Sequence, residues 1–513
     1  MTLLTKDMPT IKPLDYRPAN RVMWDTWYLV HDRTAHAFYL QKPLPGASSP
    51  HPNACALGHA TSTDVIHWQE QEPILSPNPL GTPMDDLLPF TGCTVEHDGR
   101  FYLYYTMRSS VDDGRIQRTG LAISDDLYHW HRYDGNPVIE PVAPYCSIDK
   151  PFVSGGLPIV DCRDIVVIPD PDRKGSWLGY YAARVHTKEM IDGAVVALVR
   201  SDDLIHWEHL PPAFVEPRFS VLEVPEVFQM PNGKWYMSCL TGQGYGNRCP
   251  YANAITEGTI WAVSDHPHGP FQVIDGQHEL ISGFADCGYS CRTLVFDDQR
   301  LMLYTQNVFN GMETLSPPMR VDLDGDRLFL GYSPLQDKCL GQQCWDSSNL
   351  PPINVTLPTQ WHWCFTPGSW EMTDGQYRGQ CQSAYQVGLT NQYLNNFQIT
   401  ANVRMSCKTA GIALRPQAQS DINNDPWVWG IDSDRRCFAS KLPKFHPAVI
   451  RQYLGQTSDL FSIRLVVRQP RYEFYVNDEL MLQGSLDLIQ KMQLGFWVES
   501  GNVALSYVIC TEL

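Results

Sequence analysis

Leu198 to Leu210 reads LVRSDDLIHWEHL: a short apolar run, a Ser-Asp-Asp step, then a tryptophan at the head of the next stretch. The phrase recurs as ATSTDVIHWQE at Ala60–Glu70 and as LAISDDLYHWHRY at Leu121–Tyr133. A worn copy, WAVSDHPHGPFQVI, covers Trp261–Ile274. Its serines fall at positions 62, 124, 201 and 264, and one supersecondary unit repeated at such spacing marks an array. Between the copies stand further strand signals, GRFYLYYTMR and GKWYMSCLTG. Each is led in by an Asp-Gly or Asn-Gly pair, residues that accept the positive φ of a two-residue hairpin. Helical periodicity over a long window is almost absent.

About four strands per unit, repeated radially, predict a β-propeller. The four copies and the diverged stretch from Arg292 to Leu330 predict an all-β chain that opens with a five-bladed β-propeller over residues 1–340. In that architecture the Ser-Asp-Asp and Trp residues close turns and pack blade on blade. Ligands sit at the ends of the innermost strands, so an acid with a chemical task should lie outside the phrase, early in its blade. From Gly341 the run GQQCWDSSNLPPINVTLP is rich in Pro, Asn and Ser, and predicts a linker over 341–360. Residues 361–513 alternate again: FSIRLVVRQPRYEFYVNDELMLQG turns at VNDE, and MQLGFWVESGNVALSYVIC continues the meander. This predicts a β-sandwich of lectin-like type, a stabilising or sugar-contacting module.

The chain has 513 residues, 39 Lys+Arg against 56 Asp+Glu, and a formal charge of -17. That field repels phosphate backbones and no basic run offsets it, which argues against nucleic acid as a partner. No apolar run is long enough to span a bilayer, so no membrane partner is expected. The start, MTLLTKDMPTIKPLDYRP, lacks the pattern of a signal peptide. Fifteen cysteines with no C-x-x-C pair read as reduced, mostly buried thiols, so the expectation is a cytoplasmic protein without metal or cofactor. Acids together with 15 Trp, 24 Tyr and 19 Phe suit a neutral sugar, which stacks on rings and hydrogen-bonds to carboxylates. Nothing in the residues fixes the oligomeric state.

Three acids meet the positional requirement. In RVMWDTWYLVHDRTAHAFYLQ, residues 21–41, Asp25 sits between Trp24 and Trp27 at the start of an apolar strand, where an ionised carboxylate loses hydration. Either it caps a turn or it is placed for chemistry. In DCRDIVVIPD, Arg163 and Asp164 precede a β-branched run, a pair that ordinarily closes a solvated turn. In VLEVPEVFQMPNGKWYMS, Glu223 stands two residues before Pro225, with Glu226 close by as a decoy or helper.

With these segments in order, the chain resembles glycoside hydrolase family 32, the invertase, inulinase and levanase group. The family's opening Asp is followed sixteen residues later by the Gln of F-Y-Q, as Asp25 is by Gln41 in FYLQ. LGHATSTDVIHW from Leu57 is similar to W-G-H-x-x-S-x-D-L-x-H-W, and FTGC, Phe90 to Cys93, to F-S-G-S. CRDI resembles R-D-P, and EVPEVF resembles E-C-P-D-L-F. ADCGYSCRTLVF, with Asp286, resembles D-x-G-x-x-Y-A-x-x-x-F, and TLSPPMRVDLDGDRL resembles L-S-x-P-R-x-L. The resemblance implies a retaining glycosidase acting on β-fructosides, sucrose-like or short fructo-oligosaccharides, with fructosyl transfer a related outcome. It implies Asp25 as nucleophile, Glu223 as general acid/base, and Asp164 beside Arg163 as stabiliser of the transition state. It further implies a substrate pocket drawing on Trp24, Gln41, Leu57, Phe90, Thr91, Arg163 and Asp286. Departures from the pattern are Trp24, Thr26, Trp27, Leu57, Cys93, Ile165 and Val224, which put the preferred sugar in question. Two other readings stay open: an inverting glycosidase like those of family 43, and a non-catalytic carbohydrate-binding protein.

Overall fold

In the computed structural model the described residues run from 16 to 513. They exclude 45–55, 80–84, 88, 143–151, 155–156, 186–192, 218, 220, 243–256, 275–278, 283–288, 310–311, 358–367, 418–425, 443–448, 456–457 and 487–489. The chain divides into two compact units, Met1–Leu328 and Phe329–Leu513.

The first unit holds four separate four-stranded antiparallel sheets. The first is β1 (Arg21–His31), β2 (Thr34–Pro43), β3 (Ala56–Ser62) and β4 (Gln69–Leu75). The second is β5 (Phe90–His97), β6 (Arg100–Met107), β7 (Arg118–Ser124) and β8 (His131–Arg132). A hairpin of β9 (Phe152–Ser154) and β10 (Leu157–Ile159) precedes the third, β11 (Arg163–Pro169), β12 (Trp177–Arg184), β13 (Ala194–Ser201) and β14 (Glu208–Val215). The fourth is β15 (Glu223–Gln229), β16 (Trp235–Gly242), β17 (Glu257–Ser264) and β18 (Glu279–Ser282). Then β19 (Tyr289–Phe296) pairs with β20 (Gln299–Phe309), which pairs with β21 (Met312–Leu315) and β22 (Met319–Asp324). Five blades were expected; the fold is propeller-like with four closed sheets, and β19–β22 do not close as a separate one. The first strands pack side by side in the order β1, β5, β11, β15, β19 and back to β1.

The repeated phrase has one structure each time. Ser62, Ser124 and Ser201 accept the N–H groups of Val65, Leu127 and Leu204 at 2.8–2.9 Å. Asp64, Asp126 and Asp203 take the next N–H groups and hold His67, His129 and His206. Val65, Leu127 and Leu204 carry left-handed backbone, a strain these hydrogen bonds hold in place. Buried Tyr104 of the second sheet donates to the Leu204 carbonyl of the third at 2.6 Å, so the turn also joins neighbouring sheets.

In the second unit, strand Phe397–Pro416 pairs along its length with Met492–Glu512 and partly with Leu460–Arg468. Met492–Glu512 pairs in turn with Gln376–Leu394. Its core gathers Trp429, Phe474, Phe496 and Leu494. Asn477 and Asp478 of the VNDE turn both adopt positive φ, as a tight hairpin demands. The unit begins upstream of the linker expected at 341–360. Trp345 and Leu350 pack into its core, and Gln343–Trp345 is itself a strand, because apolar side chains in a Pro/Ser-rich run still seek burial.

Candidate active site

Each inner strand of the first unit starts with the same irregularity. The pairing slips at Trp24/Thr26 in β1, Phe90/Gly92 in β5, Arg163/Val166 in β11, Glu223/Glu226 in β15 and Tyr289/Arg292 in β19. An extra residue in a strand bends it and re-aims a side chain. Asp25, Asp164, Val224 and Ser290 all take left-handed backbone at these points. In β5 the fit is so close that a Cβ on Gly92 would run into the Tyr104 carbonyl. In β1 and β11 the residue with left-handed backbone is the acid itself, Asp25 or Asp164, turned out of the ladder while the run after it packs; in β15 it is Val224, next to Glu223.

Asp25 is buried. Thr91 from β5 donates its hydroxyl to one carboxylate oxygen and Ser290 from β19 donates to the other. Burial pushes its carboxyl above the usual range. The Ser290 and Thr91 hydroxyls draw it back, Glu223 adds to the rise and Arg292 opposes it. Asp164, also buried, is pushed up to about 7 by burial, against Arg163 and with Asp25 and Glu223 adding to the rise. Its carboxylate accepts the Val224 N–H at 3.2 Å, and its own N–H donates to Thr106 Oγ1 at 3.1 Å.

Arg163 ties the acids together. Its Nε lies 3.3 Å from Asp164 Oδ2 and its Nη2 donates to Glu223 Oε1 at 2.6 Å. Its Nη1 meets Asp161 and donates to Gln117 Oε1 at 3.2 Å. Asp161 also pairs with Arg184, whose guanidinium burial brings down to about 9, with Arg163 adding to the fall. Asp161, Gln117 and Ser290 were not singled out in the sequence. Asp161 and Ser290 lie inside recognised segments, Asp161 two residues from the arginine that it braces, whereas Gln117 meets Arg163 only on folding.

Glu226 separates from the group. It accepts from Arg292 Nη1 at 3.0 Å and from Thr293 Oγ1 at 2.7 Å. It lines a depression of about 620 Å³ formed by later parts of the inner strands, with Tyr28, Val167 and Phe228, which none of Asp25, Asp164 and Glu223 lines. Arg292, fully buried, also donates to the Asp164 carbonyl at 3.1 Å and so braces that bulge.

The remaining expected pocket residues are placed in different ways. Thr91 is at the site, on Asp25. Gln41 is buried, and its amide oxygen accepts no hydrogen bond among the described residues. Leu57 is wholly buried with Trp27, Phe38 and Leu40, so the structure places it in the apolar core of the first sheet and not at the site. Its position in a polar motif hid a side chain that can only pack. Half-buried Trp24 and Phe90 lie against the same cluster, with Lys42 Nζ 5.4 Å above the Trp24 ring and Arg108 5.2 Å above Phe90. Asp286 lies outside the described residues. Among the described residues one trio, Asp170, Asp172 and His268, has the spacing to hold a metal ion; Arg200 Nε is already 3.2 Å from Asp170.

A propeller-like array with three acids at the starts of its inner strands, two of them sharing one arginine, defines a class: all-β proteins with an acidic site where the inner strands meet. Residues 26–280 match the Glycosyl hydrolases family 32 N-terminal domain, and the chain belongs to that family. A raffinose invertase of Escherichia coli is 24% identical over 282 residues, 52% of this chain and 51% of that protein. A sucrose-6-phosphate hydrolase of Zymomonas mobilis is 26% identical over 262 residues, 48% of this chain and 46% of that protein. The chain thus spans about half the length of the curated relatives it matches. Among solved structures, fructan 1-exohydrolase IIa from Cichorium intybus shares the fold with a TM-score of 0.67 at 12% identity, over 98% of both chains. A fructofuranosidase from Schwanniomyces occidentalis complexed with fructose gives 0.66 at 17% identity, over 97% of both.

Proposed function

We propose that this chain is a retaining β-fructofuranosidase, cleaving sucrose-like or short fructo-oligosaccharide substrates, with transfer to a second sugar competing with water. One observation carries the reading: a buried carboxylate, Asp25, is held by two hydroxyl donors while Glu223 and Asp164 share Arg163. Asp25 is oriented by Thr91 and Ser290, so both oxygens are fixed before substrate arrives and little reorganisation is needed. It attacks the anomeric carbon of the fructosyl unit. Glu223 gives a proton to the departing oxygen, then takes one from the incoming water or sugar hydroxyl. Asp164 accepts from fructosyl hydroxyls and favours the positive charge of the transition state. Gln41, with its unused amide oxygen, accepts a further hydroxyl.

Three other features support the reading. The relatives named above act, by their names, on raffinose, on sucrose-6-phosphate and on fructan. Asp25 of β1 is touched from both β5 and β19, and the shared bulge recurs in five inner strands, which supports a fifth blade built on β19–β22. The second unit, with its own core and long antiparallel strands, is read as the β-sandwich that accompanies the catalytic propeller.

The test is proton NMR of the first product released from sucrose and from an inulin-type trisaccharide. Release of the β-anomer first, before mutarotation, is expected. First release of the α-anomer would replace the covalent step by a single inverting displacement, and no release from any fructoside would leave only a sugar-binding role.

A further inference from the structure

The outward face of the second unit has a feature that a wet sheet face does not require. Arg378, Ala504 and Arg404 stand in one row across three neighbouring strands, with Ala504 paired to both arginines. Two strand spacings put the arginine backbones roughly 10 Å apart, with only a methyl group between them. Asn502 and Ser506 flank Ala504 on the same face, since Val503 and Leu505 point into the core. Short floor and long walls make a groove of about 620 Å³, bordered also by Glu371 and Tyr507. Neither arginine has an ion pair or hydrogen bond among the described residues, although Glu371 is the cross-strand neighbour of Arg378.

Tyr507 adds a second, independent observation. Asn402 pairs with Ser506 and Thr400 with Ile509, so Tyr507 is the extra residue of a bulge. It has left-handed backbone, φ 51, and is 72% exposed. A bulky side chain held in that conformation is rare and strained, and here the strain turns an aromatic ring into solvent at the groove's rim. Burial cannot explain it.

We propose that this groove is a binding site for a neutral oligosaccharide, distinct from the Asp25 site. Vicinal hydroxyls need donors and acceptors side by side, which guanidinium, amide and carboxylate groups supply in one row. The apolar face of a sugar ring needs an aromatic platform, which Tyr507 supplies. The volume is that of an ordinary small-molecule site and would take two or three sugar units. A phosphate site would converge its arginines and exclude Glu371, so the mixed charges favour a hydroxyl-rich ligand over an anion. The proposal rests on the fructosidase reading only for its first choice of sugar.

Calorimetric titration of the full chain carrying Asp25→Asn, which stops turnover, tests it with an inulin-type pentasaccharide, maltohexaose and inorganic phosphate. Two saccharide-binding events are expected. One should weaken at least tenfold in the double variant Arg404→Ala/Tyr507→Ala, and also in Ala504→Trp, which fills the floor and leaves both arginines. Far-UV dichroism and melting of each variant identify the one to be read should the other fail to fold. A single event that both folded variants lose supports the groove and counts against the Asp25 site alone. A single event that they retain, no saccharide binding, or binding of phosphate alone overturns the proposal.

Discussion

At the scale of single residues, the site depends on acids kept in low-dielectric surroundings. Asp25 is dehydrated and held by two hydroxyls, so Asp25→Ala should leave the fold intact and cut kcat by roughly 10⁴-fold or more, as loss of a nucleophile does. Steady-state rates and a melting curve on the same sample check both halves. Burial pushes Asp164 up to about 7, and it shares Arg163 with Glu223. As stabiliser of positive charge Asp164 acts as the carboxylate, which is protonated as pH falls through about 7. Below that point kcat/KM should fall, approaching about tenfold per pH unit. A pH–rate profile flat from about pH 8 down to about pH 5 would count against this. The same shift has a stability consequence of definite sign. Asp164 in the folded chain lies above its ordinary 3.8, so stability present below about 4 is lost as pH rises through about 7. Asp164→Asn should therefore melt higher than the wild type at pH 8.

At the scale of elements, the repeated turn and the strand bulge do different work. The turn is a hydrogen-bonding unit, and Ser201→Ala strips the acceptor from the Leu204 and Asp203 N–H groups. A loss of about 1–2 kcal/mol is expected by analogy with removal of a helix cap, read from urea unfolding, with activity at 25 °C retained. Between β2 and β3, buried His36 and His59 stack on Phe38 and share a 2.9 Å hydrogen bond. Burial lowers them to about 4 and about 3, from 6.5. Depressed folded values mean that stability is complete above about 6.5 and is lost as pH falls towards the folded values. At pH 5 the loss is about 2 kcal/mol for each imidazole. Urea midpoints at pH 7 and pH 5 measure it, and His59→Gln should reduce the difference.

At the scale of the molecule, the chain divides into two units, and the second has a core of its own. Residues 329–513 bring their own apolar cluster, and that fragment expressed alone should melt cooperatively. A broad, non-cooperative melt would show that its core is incomplete. The sequence alone determined the all-β class, the repeating unit and the turn chemistry, and it singled out the three candidate acids, because strand alternation, Ser-Asp turns and an acid before an apolar run are local patterns. Only the tertiary structure decided what each acid touches. Ser290 and Thr91 are 265 and 66 residues from Asp25, and the contact follows from inner strands meeting around an axis, which no local pattern encodes. It also decided against Leu57, since a motif position says nothing of which face of a strand is buried, and it set Glu226 apart from Glu223. A bulge of one residue sends Glu226 to Arg292 while Glu223 meets Arg163. Sequence spacing of three cannot carry that distinction, because in a strand it is the pairing register that fixes the side.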